Sequence, residues 1–317
     1  MTSHSSNRDD HESAWQAVED VNAEPTRRID EPTHRIERPR PARIPGPLLG
    51  IVSAFALFSI IPAPVLPNID RRIATRAIRA FPWMGMLLGV VAGLVAGGVL
   101  AAGAGSWLAG VLALGWLAGA TGGFHLDGVA DTADGLSSRK PAEQALTIMK
   151  QSDIGPMGVI SLLMVLLIDL GSLTSLTATS AGLGAGAWWR FGLLILVGPA
   201  VGRASILLAT LPSVPCARPG GFGSLVAGVT APRAAALNLA VLGVVWAGLG
   251  WLVAGWAGAV LVVAACALAL GWAQVWSRHL IRRLGGMTGD TFGSLNETTQ
   301  CVAWALMAIG AALLWGP

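Results

Sequence analysis

Three aspartates, Asp127, Asp131 and Asp134, stand in the run Gly122-Gly123-Phe124-His125-Leu126-Asp127-Gly128-Val129-Ala130-Asp131-Thr132-Ala133-Asp134-Gly135. Their i, i+4, i+7 spacing puts all three within about 60° of arc on one helix. Carboxylates so placed repel one another, and they persist where cations bridge them or one keeps a proton. Ligands offering only oxygen suit a hard ion such as Mg²⁺. Two such ions can neutralise a pyrophosphate and stabilise both the attacking and the leaving oxygen of a displacement at phosphorus. A solvated acidic loop would need neither the helical phase nor Gly128 and Gly135, which allow close approach of a ligand or a second helix.

Two further segments carry polar chemistry. In Met149-Lys150-Gln151-Ser152-Asp153-Ile154-Gly155-Pro156-Met157-Gly158, Asp153 is a candidate metal ligand or a partner for Lys150. An acid near a helix start is also favoured by the dipole alone. In Gly285-Gly286-Met287-Thr288-Gly289-Asp290-Thr291-Phe292-Gly293-Ser294-Leu295-Asn296-Glu297-Thr298, Asp290 and Glu297 share a helical face and Asn296 lies on another. A glycine-rich lead into a helix presents backbone N–H groups to phosphate.

Basic partners are few. Arg203 lies in a long apolar run, where an unpaired charge is costly, so it should face the bundle interior against a carboxylate or a substrate phosphate. Arg218, in Pro215-Cys216-Ala217-Arg218-Pro219-Gly220-Gly221-Phe222-Gly223, sits on a loop suited to an anion, unless its charge only sets topology. His125 lies about 160° from Asp127 on a helix and reads as a supporting residue rather than a base. Asp169 stands alone in an apolar run and has no assignment. Cys216, Cys266 and Cys301 are far apart and form no C-x-x-C unit, so neither iron–sulfur nor zinc is indicated.

The elements that must position these groups are membrane helices. Of 317 residues, 53% are apolar and 12% charged, with mean hydropathy +0.62. Soluble domains carry about 25% charged residues, so an ordinary water-soluble core is excluded. Residues 1–46 hold half of the chain's 18 acids, and six of the remaining nine fall in the three segments above. Residues 1–46 are polar and Pro/Arg-rich and are expected to be a disordered cytoplasmic tail. They contain no apolar stretch of the kind a secretory signal needs. A net charge of +3 gives no case for nucleic-acid binding.

A helix crosses the hydrocarbon core with about 20 apolar residues. Residues 44–69 are free of charge until their end but broken by Pro62, Pro64 and Pro67, giving at most one irregular span. The charge-free run 80–126 allows two helices hinged near Gly103-Ala104-Gly105-Ser106. Runs 154–189 and 191–217 follow, then 234–277, a pair with a glycine-rich middle near 255–258, and finally 298–317. The expectation is an all-α, polytopic bundle of six to eight transmembrane helices forming a catalytic domain over residues 47–317. The apolar runs are far too long for barrel strands. Basic clusters at Arg71/Arg72/Arg76/Arg79, Arg139/Lys140/Lys150 and Arg278/Arg282/Arg283 are assigned to the cytoplasmic side of the cell (inner) membrane.

Taken together these segments resemble the cobalamin synthase family, the adenosylcobinamide-GDP ribazoletransferases. The resemblance is carried by residues 122–136, by Met149-Lys150, Ser152, Ile154-Gly155 and Gly158, by Ala217-Arg218-Pro219, Gly221 and Gly223, and by Gly285-Gly286, Thr288-Gly289-Asp290, Gly293 and Leu295-Asn296-Glu297. Phe55, Phe58 and Ile61-Pro62-Ala63-Pro64 match the family's opening, so the likeness runs from about residue 47 to the C-terminus. There are two departures. Gln151-Ser152-Asp153 replaces an acid-Ser-Arg pattern, and Gly220 stands where the family has Glu.

The resemblance implies that a ribose hydroxyl of α-ribazole or of its 5′-phosphate attacks the cobinamide-linked phosphorus of adenosylcobinamide-GDP. GMP leaves, and adenosylcobalamin or its 5′-phosphate forms. The residues supply matching parts: Asp127, Asp131 and Asp134 would hold one or two Mg²⁺ with Asp153 a further candidate ligand, and Asp290 and Glu297 would complete the metal site or orient the nucleophile. Asp134, Asp131 and Asp290 are the catalytic candidates, Asp134 as acceptor of the hydroxyl proton. Arg203, Arg218, Asn296 and Lys150 are candidate substrate contacts. Two other readings use the same carboxylates. A CDP-alcohol phosphotransferase would carry Ala-Arg after its first Asp-Gly, where this chain has Val129-Ala130. A cation-coupled transporter would place its acids in mid-span and show inverted repeats.

Overall fold

The computed structural model describes residues 44–46, 48–66, 68–182 and 186–316. The expectation of a disordered tail falls on residues that lie almost wholly outside these. The described chain is helical, without strands: α1 (Leu49–Phe58), α2 (Arg71–Ala101), α3 (Ser106–Ala120), α4 (Phe124–Ser137), α5 (Ala142–Ile148), α6 (Pro156–Gly182), α7 (Ala187–Ala209), α8 (Gly221–Val226), α9 (Pro232–Leu284) and α10 (Gly289–Trp315).

Five of these, α2, α6, α7, α9 and α10, are long and apolar enough to cross a membrane, and α3 with α4 forms a broken sixth span. At 1.5 Å per residue a straight α9 would be about 80 Å long, far more than the roughly 30 Å core. It breaks at Ala254 (φ −152°, ψ 35°) and Gly255 (φ 60°, ψ −145°). Its start is tied to the N-terminal part of α2, where the Asn238 side chain donates to the Arg79 carbonyl at 2.8 Å. Its last turn returns to the same end, where Arg283 donates to the Lys140 carbonyl at 2.6 Å. The helix is therefore folded into two arms. The described residues thus offer up to seven apolar segments for crossing a membrane, when each arm is counted separately and the bent α3–α4 pair as one. Helix α1, about 15 Å long, is too short for a pass of its own.

Small residues set the packing. Helix α2 presents Gly85, Gly89 and Gly93 to α7, and a Cβ at Gly89 would lie 2.8 Å from the Leu196 Cα. That close approach of backbones is how membrane helices gain dispersion energy where lipid offers no hydrophobic drive. Helix α10 is the hub, packing on α4, α6, α7 and α9. It starts with a capping box in which Thr288 accepts from the Thr291 N–H and the Thr291 hydroxyl accepts from the Thr288 N–H. Asp70 caps α2 through the Ile73 N–H at 2.8 Å.

The three basic clusters share one end of the bundle. Arg71 donates to the carbonyls of Ser224 (3.1 Å) and Ala227 (2.7 Å), Arg218 donates to the Leu146 carbonyl, and Arg283 reaches Lys140. These bonds tie together the loops in which the polar motifs lie.

Candidate active site

Helix α3 ends at Thr121, and the chain turns through 88° into α4. Gly122 (φ 61°) and Gly123 (φ 73°) both take left-handed conformations, which glycine adopts without steric cost. Helix α4 lies against α10 with the backbones touching. A Cβ added at Gly128 would run into the Asp290 carbonyl oxygen, and one at Gly293 would stand 2.9 Å from the His125 carbonyl. The two glycines thus bring the Asp127/Asp131 face of α4 to the start of α10, where Asp290 sits.

These carboxylates line a cavity of about 540 Å³ at the basic end of the bundle. The same cavity is lined by Lys150, Arg218, Gly220 and the start of α8 at Gly221–Gly223. Asp131 lies in the field of Asp127, Asp134 and Asp290, while Asp290 faces the charges of Arg218 and Lys150 as well as that of Asp127. Asp290 also accepts from the Thr288 hydroxyl at 3.3 Å. A cavity lined by both acids and bases holds a polyanion only if the acids are neutralised or bridged.

Asp127, Asp131, Asp290, Lys150 and Arg218 are therefore brought together. Asp134 is elsewhere: its two oxygens accept from the N–H groups of Gly155 and Gly158, each at 2.7 Å. It caps α6 from a neighbouring helix, and Cβ atoms at either glycine would strike the carboxylate. Asp153 is exposed and off the cavity wall.

Arg203, Asn296 and Glu297 belong to a second, buried group. Glu297 accepts from Asn296 (2.9 Å) and Gln300 (3.4 Å), and the His125 Nδ1 stands 3.8 Å from it. Arg203 donates to the Pro199 carbonyl at 3.1 Å, lies over the Phe81 ring and faces the Glu297 charge. Asp169 joins Arg203, Glu297 and Gln300 around one small cavity. Arg203 faces the interior of the bundle, as expected, within the field of the Glu297 carboxylate and bonded to the Pro199 carbonyl. His125 supports α4 from inside the bundle.

The sequence reading passed over Gln151, Phe222 and Thr288 on the cavity wall. Thr288 was findable as an N-cap, Thr-x-x-Thr before an apolar run. Gln151 and Phe222 carry no signal of their own.

Asp127, Asp131 and Asp290 offer oxygen alone, the donor set of a hard cation. Among the described residues no group of three His, Cys, Asp or Glu side chains could hold a metal ion unaided. An open carboxylate wall fits Mg²⁺, which commonly takes one or two carboxylates and completes its shell with water and substrate phosphate.

Residues 50–308 match the family model described as cobalamin-5-phosphate synthase. Relatives named adenosylcobinamide-GDP ribazoletransferase include one from Frankia casuarinae, 38% identical over 81% of this chain and 93% of its own length. One from Roseiflexus is 34% identical over 84% and 92%, and one from Brevibacillus brevis 32% identical over 81% and 96%. No solved structure matches the chain significantly. With the family model covering most of the sequence and all of the cavity wall, the chain belongs to the cobalamin-5-phosphate synthase family.

Proposed function

We propose that this membrane enzyme joins adenosylcobinamide-GDP to α-ribazole, or to α-ribazole 5′-phosphate, with release of GMP. The observation that carries the reading is one cavity lined by Asp127, Asp131 and Asp290 together with Lys150 and Arg218. Phosphoryl transfer is mostly positioning and charge stabilisation, and these groups supply both. A ring hydroxyl of the acceptor's ribose, free in both the nucleoside and its 5′-phosphate, bonds through its oxygen to the phosphorus that bears cobinamide. The bond from that phosphorus to the oxygen bridging to GMP breaks, and GMP takes the electron pair. The hydroxyl proton passes to a carboxylate on the wall, Asp131 or Asp290, because both Asp134 oxygens already accept backbone N–H groups. Lys150, Arg218, Gly220 and the start of α8 hold phosphate oxygens and keep the pyrophosphate in line.

One or two of Asp127, Asp131 and Asp290, with water and substrate phosphate, would hold Mg²⁺, which would supply charge neutralisation and Lewis acidity at the phosphoryl oxygens. Arg203, Asn296, Glu297 and His125 brace α4 against α10 from within the bundle. The catalytic unit is residues 47–317, seated in the inner membrane with the basic end toward the cytoplasm, where GDP-linked substrate is made.

Product analysis tests this directly. Membranes bearing the protein, given adenosylcobinamide-GDP, α-ribazole and Mg²⁺, should release GMP and a cobalamin. Asp131→Asn should lower the rate by about 100-fold or more, the scale of losing one electrostatic stabiliser. Chelation should abolish turnover and added Mg²⁺ restore it. Folded protein that yields no product from either acceptor would sink the assignment.

A further inference from the structure

The chain contains seven phenylalanines, and five of them, Phe58, Phe81, Phe124, Phe222 and Phe292, line a single second cavity of about 290 Å³. That cavity is continuous with the first: Asp127, Phe222, Gly289 and Asp290 belong to both walls. The rings form a connected set. Phe58 lies 4.3 Å from Phe81 and 5.3 Å, edge to face, from Phe222, while Phe81 is 5.8 Å from the His125 ring. The site is thus two-lobed, with a polar lobe under Lys150 and Arg218, an aromatic lobe beside it, and carboxylates at the junction.

We infer that the aromatic lobe binds the base of the acceptor nucleoside, an assignment that rests on the proposed reaction. The fit is chemical. Once glycosylated, a methylated benzimidazole has no N–H to donate and shows two apolar faces, which suit a phenylalanine-lined slot. Guanine carries several donors and acceptors on its edge and would leave them unpaired against these rings, at a cost. The corrin ring is far too large for a lobe of this volume. With the base among the phenylalanines, the ribose falls at the shared wall. The attacking ribose hydroxyl then meets Asp127 and Asp290 where the polar lobe presents the phosphorus. The aromatic lobe therefore selects the acceptor and aims it, and the polar lobe selects the donor.

The test is steady-state kinetics of the full chain in nanodiscs with both substrates varied. Phe124 is 56% exposed, so Phe124→Ala leaves the packed core intact, while half-buried Leu57 lines the lobe from the edge of the core, so the folding of Leu57→Trp is checked by its melting midpoint. Loss of an aromatic face, or filling of the lobe, should raise the KM for α-ribazole by roughly fivefold or more, in line with base–aromatic stacking. The KM for adenosylcobinamide-GDP should stay within about twofold. Free dimethylbenzimidazole should compete with α-ribazole and not with the GDP-linked substrate. A wild-type enzyme that turns over, with both variants folded and the α-ribazole KM unmoved, overturns the assignment and leaves the reaction standing. A KM for α-ribazole that climbs with the phospholipid-to-protein ratio would assign the lobe to an acyl chain and overturn it equally. Wild-type protein that forms no cobalamin refutes the reaction, and this inference goes with it.

Discussion

Asp134 shows how spacing and surroundings divide the work at a single residue. Its phase on α4 matches that of Asp127 and Asp131, yet it takes two backbone N–H groups at the start of α6. Acids are stabilised there by the positive end of the helix dipole and by charge-assisted hydrogen bonds. Asp134→Asn would turn an amide N–H toward a backbone N–H, costing about 1–3 kcal/mol. The expected result is a lower melting midpoint in detergent, with the activity of the folded fraction within about tenfold of wild type, since the residue has no place on the cavity wall. Asp131→Asn should do the opposite, keeping the midpoint and losing the rate; thermal scans beside turnover assays separate the two. Residue types and phase marked all three aspartates as functional, because a periodic pattern specifies a helix face. Which neighbour covers that face depends on a contact 21 residues away in the chain, between Asp134 and Gly155, and no local pattern encodes it. Asp290 and Glu297 part company for a related reason. Two turns separate them by about 10 Å, enough to put one on the cavity wall and the other inside the bundle.

At the scale of elements, the crossing of α4 and α10 decides the geometry of the cavity. Gly128 and Gly293 are in backbone contact, so any side chain between them must push the helices apart. Gly128→Ala is expected to shift Asp127 and Asp131 relative to Asp290 and to lower kcat by tenfold or more, since displacements of about 1 Å can cost 100-fold. Rapid-quench measurement of the transfer step would show the loss in chemistry rather than in binding. Gly89→Leu on α2 should behave differently, destabilising the bundle by about 1–3 kcal/mol through overpacking against α7, and a detergent melting series would read it. The hinge after α2 and the break in α9 were legible because glycines interrupt charge-free runs there. The 88° turn between α3 and α4 was not. Gly122-Gly123 marks a turn in the sequence, but a glycine pair specifies no angle or direction. The prolines after α1 signalled irregularity correctly, and its ten residues are too few to span.

At the scale of the whole molecule, three arginine- and lysine-rich segments meet at one end, where Lys150 and Arg218 line the candidate active-site cavity. With Cys216 replaced by Ser, Arg282→Cys and Ala104→Cys report opposite ends; both positions are exposed. Ala104→Cys should react with an impermeant maleimide on intact cells, and Arg282→Cys only after the membrane is opened. The reverse pattern would turn the enzyme over in the bilayer and strand its cavity away from GDP-linked substrate. The overall plan was readable from charge alone, since few charged residues remain once the tail is set aside and most of them mark either the site or the end on which it lies. The buried Arg203–Glu297 group was readable only in half. A lone arginine in an apolar run demands a partner, but its choice between protein and substrate is made by tertiary packing.

The break in α9 also bears on how the chain enters the bilayer during synthesis. The two arms, 232–253 and 256–284, are joined by Ala254 and Gly255 alone, and α2 and α3 by the uncharged Ala102-Gly103-Ala104-Gly105. Carrying one charged side chain to the middle of a helix in the membrane costs about 2.5–3.5 kcal/mol on insertion scales. Neither turn brings such a charge. Each pair can therefore leave the translocon as a closed hairpin, with no hydrophilic segment to be threaded across.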